Sequence, residues 1–133
     1  MEIIVHRAEA LITLDEKVLL VRNQQTRLQL PGGVQKPEES GPVCIRRSIA
    51  DDIPDLIVDG QPKHWRLFKD LRSPLSGFPM TVSVYRVEID WSKDDPTEST
   101  TEFLWWQRGL DESELTEPTC VILEAAEAAR LFN

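Results

Sequence analysis

One short helix set between long stretches of strand-like sequence constrains this chain more than any other feature. In "PEESGPVCIRRSIADDIP", residues 37–54, Ile45, Ile49 and Ile53 stand four apart and so line one side of a helix. Ser40 or Glu39 caps its start, and Pro42 suits a first helical turn. Pro54 restricts Ile53 before it and ends the helix there. The spacing predicts a helix over residues 41–53 with the three isoleucines buried.

Strands are expected on both sides of it. "IIVHRAEALITL" and "KVLLVRN" read as a pair of strands turning at Asp15 and Glu16, and "LQL" as a short strand ended by "PGG". "HWRLFKDL" and "MTVSVYRVEID" follow, the latter carrying Val82, Val84, Val87 and Ile89, with "PLSGFP" as a loop beside a pocket. "KDDPTEST" is a polar loop, "EFLWWQ" a further strand, and "TCVILEAAEAARLF" a terminal helix. The order β-β-β-α-β-β-β-α predicts an α+β fold, a mixed sheet covered on both faces. With 133 residues, a single domain over 1–133 is expected.

Charge bears on partners. Fifteen Lys and Arg against 23 Asp and Glu give a net charge of -8, and no basic stripe follows a phosphate backbone, which argues against polymeric nucleic acid. A small phosphorylated ligand needs only a few local cations. No apolar run approaches the length of a membrane helix, and "MEIIVHRAEALITL" lacks the features of a secretory signal, so no membrane and a cytoplasmic location are expected. Cys44 and Cys120 are far apart, with no CxxC and with His6 and His64 isolated, so two free buried thiols are expected and zinc is not.

The helix carries its own chemistry. At about 100° per residue, Ser48, Asp51 and Asp52 fall beside the isoleucine stripe, together with Cys44. Carboxylates in a last turn oppose the macrodipole by about 0.3–1 kcal/mol each. A solvated acidic helix end is one reading. A divalent cation on the carboxylates is the other, since hard ions take oxygen ligands. Gly32 and Gly33, between a strand and this helix, allow close backbone approach and are candidates for cradling a phosphate, although tight turns use such pairs too.

Residues 33–55 resemble the signature of the Nudix hydrolases: Gly, five residues, Glu, seven residues, Arg-Glu, an aliphatic, one residue, Glu-Glu, one residue, Gly, an aliphatic. Gly33, Glu39, Arg47 and Ile49 match it without a gap. Asp51 and Asp52 keep charge but are one methylene shorter, Ser48 replaces a glutamate, Pro54 the glycine, and Asp55 an aliphatic. "LQLPGG" and "TEFLWWQRGLDESEL" resemble the family's flanking segments.

The resemblance implies a three-layer α/β/α sandwich and a divalent-metal-dependent hydrolase cleaving a pyrophosphate bond in a small nucleoside diphosphate-linked substrate. It implies Mg²⁺ or Mn²⁺ on Asp51 and Asp52, and Arg47 with Glu39 holding the box together. Gly33 begins the phosphate-facing loop, and a homodimer is among the expected assemblies. Ser48 is a poor base and a poor metal ligand, so Glu98 and Glu102, in or beside a later loop with Asp94 and Asp95, are the candidates for the missing acid. The alternative reading is a Nudix-fold protein impaired in catalysis that binds a nucleotide or a protein partner as a regulator. Trp65, Phe68 and Phe78 can stack on a base or pack the sheet, and Arg22, Arg27 and Arg66 can meet phosphate or solvent.

Overall fold

The computed structural model describes residues 3–22, 27–54, 56–90, 103–107 and 112–132. Its elements are β1 (Val5–Leu11), β2 (Thr13–Leu14), β3 (Lys17–Arg22), β4 (Leu28–Gln29), β5 (Gly32–Val34), α1 (Gly41–Asp52), β6 (Val58–Arg72), β7 (Pro79–Ile89), β8 (Phe103–Trp106) and α2 (Glu117–Ala128). Two sheets result. The first is mixed, in the order β5-β1-β7-β6, with β1 parallel to β7 and the other pairs antiparallel. The second runs β2-β3-β4, with β8 also paired to β3.

Strand alternation sorts side chains into two cores. Ala8, Ala10 and Ile12 join Val87, Ile89 and the α1 residues Cys44, Ile45, Ile49 and Ile53. Leu11, Met80, Val82 and Val84 join Ile122, Leu123 and Ala126 of α2. The first sheet therefore lies between the two helices, giving the expected α/β/α sandwich with a mixed sheet. Each isoleucine of the α1 stripe is 0–1% exposed, a burial that contributes roughly 1.5–3 kcal/mol per side chain. Trp106 enters one core and Trp105 packs against the other, as neighbours on a strand must.

Local signals set the helix ends. Ser40 Oγ accepts a hydrogen bond from the Val43 amide, Pro42 sits in the first turn, and the Ile53 amide donates to Ile49 O at 2.7 Å. At α2 Thr116 caps in the same way. The strands differ more from expectation. β1 does not pair with β3: the turn at Asp15 and Glu16 joins only the short β2 to β3, while β1 crosses to the first sheet. Asp15 takes the turn with φ 54°. β4 does end before "PGG", but Gly32 and Gly33 are themselves in β5, opposite Glu9 and Ala8. A side chain at Gly32 would run into the Ala8 carbonyl. β6 begins at Val58, earlier than its apolar pattern suggests, and its pairing is interrupted by register shifts around residues 59–63 and beyond. Among the described residues no helix is long and apolar enough to cross a membrane.

Candidate functional site: the loop and helix of residues 32–52

The loop after β5 is fastened to α1 by one bidentate ion pair. Arg47 Nε donates to Glu39 Oε2 at 2.8 Å, and Arg47 Nη2 donates to Glu39 Oε1 at 3.0 Å and to the Val34 carbonyl at 3.2 Å. The Glu39 side chain is 7% exposed. Its hydrogen bonds from Arg47 hold the carboxyl down at about 2, and the same contact raises Arg47. Planar fork-to-fork pairing of this kind fixes geometry as well as charge. Gln35 Nε2 adds a bond to Glu39 O at 2.7 Å.

Beneath that clamp the loop lies directly on the helix. The Cys44 thiol donates to Gly33 O at 3.5 Å, and burial pushes that thiol up. A Cβ on Gly33 would stand 2.6 Å from Ser48 Oγ. Ser48 is 5% exposed; its Oγ lies within electrostatic reach of the Cys44 thiol but makes no hydrogen bond to a described residue. The residue in the place of the missing glutamate is thus enclosed under the glycine loop. Asp51 faces solvent, and Asp52 is half-buried. Burial and the neighbouring Asp51 raise Asp52, while the charge of Arg7 works the other way. The structure therefore gathers Gly33, Glu39, Arg47 and Ser48 into one cluster, sets Asp52 at its flank and turns Asp51 outward. Glu98 and Glu102, with Asp94 and Asp95, lie outside the described residues.

Sequence reasoning missed two charged residues that stand beside the glycine loop. On β1, Arg7 Nε donates to Glu9 Oε2 at 2.9 Å, and Glu9 is 3% exposed. Arg7 Nη2 and Glu9 Oε1 are enclosed without partners among the described residues. Burial pushes the Glu9 carboxyl up, and Arg7 offsets part of that. The signal was present in "VHRAEAL": opposite charges two apart on a strand share a face. Arg7 and Glu9 line a cavity of about 60 Å³ that also takes in Val34 of the glycine loop and Thr116 at the start of α2. It adjoins a cleft of about 590 Å³ through Ser73, Pro74, Thr116 and Pro118; Arg27 and Arg72 line that cleft. The "PLSGFP" turn does stand beside a pocket. Arg27 donates to Ser113 O at 2.5 Å and Arg72 to Gly77 O at 3.1 Å. Arg22 instead pairs with Glu114, and Arg66 lies over the Phe68 ring. Both thiols are free, but Cys120 is only half-buried.

Among the described residues no three His, Cys, Asp or Glu side chains come together as a set able to hold a metal ion. Mg²⁺ demands near-octahedral oxygen coordination. Here Asp51 is solvent-facing, Asp52 is half-buried, and Ser48 is enclosed and uncharged. The described donors do not fit a divalent ion.

No protein-family model matches the chain, and no curated protein matches it in sequence. Solved structures match its fold. A MutT Nudix hydrolase from Burkholderia pseudomallei superposes with a TM-score of 0.72 at 18% identity, over 92% of this chain and 98% of that one. A Nudix hydrolase family member from Chromobacterium violaceum gives 0.72 at 19% identity, over 98% and 81%. A bifunctional NMN adenylyltransferase/ADP ribose pyrophosphatase from Francisella tularensis, complexed with AMP and a manganese ion, gives 0.72 at 14% identity. The likeness covers 97% of this chain but 42% of that longer one. The chain has the Nudix fold.

Proposed function

We propose that this Nudix-fold protein binds a small nucleotide-type ligand and is impaired in hydrolysing it. The observation that carries the reading is Ser48: a neutral hydroxyl, enclosed against Gly33, stands where the Nudix signature has a glutamate. A serine hydroxyl has far too high a pKa to act as a general base near neutral pH. Binding makes fewer demands. The cleft beside the Arg7–Glu9 pair is large enough for a small ligand and brings Arg27 and Arg72 to its wall, and arginine suits planar recognition of phosphate.

One observation favours a second reading, the metal-dependent pyrophosphohydrolase. The Arg47–Glu39 clamp, which matches the signature, is fully formed. In that reading Asp51 and Asp52 hold Mg²⁺ or Mn²⁺, and Glu98 or Glu102 supplies the missing acid.

Thermal unfolding against adenosine mono- and diphosphate, ADP-ribose and nucleoside triphosphates separates the two. Each ligand is tested in EDTA and in Mg²⁺. The binding reading expects at least one ligand to raise the melting temperature equally in both, by the equivalent of about 2.7 kcal/mol at a hundredfold excess over Kd. Stabilisation that requires the metal, or none from any ligand, contradicts it.

A further inference from the structure

The first sheet is not covered along its whole length on the α1 side. The helix starts over Tyr85, where a side chain on Gly41 would collide with the phenol ring. Beyond that point Ser83 and Thr81 of β7 are left as an open floor, flanked in register by Leu67 of β6 and by His6 of β1. Residues 35–37 form the wall, held by the bond from the Gln35 amide to His6 O at 2.8 Å. The result is a groove of about 560 Å³ that includes Lys36 and Lys69 and has no carboxylate among its lining residues. In a chain of net charge -8 that is a local reversal of sign.

Neither lysine forms an ion pair among the described residues, and both are exposed. Thr81 and Ser83 place hydroxyls on the floor between them, and His6 Nδ1 is 2.7 Å from Thr81 Oγ1. Arg7 also borders the groove, but the groove shares no lining residue with the cleft of Arg27 and Arg72 and is separate from it. We propose that it is a second anion site, taking the phosphate group of a small polar phosphorylated metabolite. Two ammonium groups supply charge-assisted donors, and the hydroxyls and Gln35 suit a hydroxylated body. The volume is that of a small-molecule site, and the two flanking lysines fall far short of the long basic track a polynucleotide needs.

The test is an amide-resolved NMR titration of the full chain with inorganic phosphate, ribose 5-phosphate and ribose. Shifts from both phosphates at Lys36, Lys69, Thr81 and Ser83, and none from ribose, are expected. Binding should weaken about tenfold or more in Lys36→Glu/Lys69→Glu, the loss of at least one charge-assisted contact, and persist in Asp52→Asn. Shifts confined to α1 or to the Arg27–Arg72 cleft, an affinity indifferent to the lysine substitutions, or equal shifts from ribose would each overturn the proposal. Since the cleft and the groove report through different amides, failure of one leaves the other readable.

Discussion

At the residue scale, the Glu39–Arg47 pair and the close approach of Gly33 to Ser48 hold the candidate site together. Glu39 titrates at about 2 rather than its ordinary 4.5 because Arg47 hydrogen-bonds its charged form. A depressed folded value means that the stabilisation is present above about pH 4.5 and is lost as the pH falls through about 2. Glu39→Gln should therefore be less stable than the parent at pH 7 and converge on it near pH 2. Denaturant midpoints at pH 7, 4 and 2 check this, and parallel curves would show that the pair contributes nothing. Gly33→Ala would set a Cβ 2.6 Å from Ser48 Oγ but an ordinary 3.6 Å from Ser48 Cβ. It should cost about 1–3 kcal/mol, at the low end if the hydroxyl rotates. In the Ser48→Ala background that cost should largely vanish, and equal costs in the two backgrounds would place the strain elsewhere.

At the element scale, α1 ends against its own dipole. Asp51 and Asp52 close a helix with no basic residue in its last turn. Asp51 is exposed, and Arg47, the cation of the cluster on which its charge acts, is already clamped on Glu39. Asp51→Asn should thus stabilise the fold by about 0.3–1 kcal/mol, with or without Mg²⁺. If Mg²⁺ instead stabilises the parent and not the variant, measured by calorimetry, then the helix end holds the ion. The same element shows what sequence makes legible. Ser40, Pro42, Pro54 and the isoleucine spacing act within a few residues, and they placed α1 to within one residue of its observed end. The partner of β1 could not be read that way. Its parallel neighbour begins 75 residues later, at Met80 opposite Val5, and only tertiary packing selects it over the adjacent β3. β6 was cut short because Gly60, Gln61 and Pro62 interrupt its apolar pattern while remaining in the strand.

At the scale of the whole molecule, the sandwich is assembled as the signature-like segment suggests, with Ser48 enclosed where the signature has a glutamate. The box segment was legible because its glycine, glutamate and arginine stand at fixed spacing. The fate of Ser48 was not, because enclosure depends on how β5 is drawn against both β1 and α1. Nor did spacing reveal the buried Arg7–Glu9 pair beside the glycine loop, since only folding brings β1 against β5. The enclosure of Ser48 is the observation on which the binding proposal rests. The most direct test is product release by purified protein from nucleoside triphosphates, ADP-ribose, dinucleoside polyphosphates and nucleotide sugars, in Mg²⁺, Mn²⁺ and EDTA. Folded protein is expected to give no metal-dependent release. Release that needs the metal and disappears in Asp52→Asn would contradict the binding proposal and establish "RRSIADDIP" as a working catalytic helix.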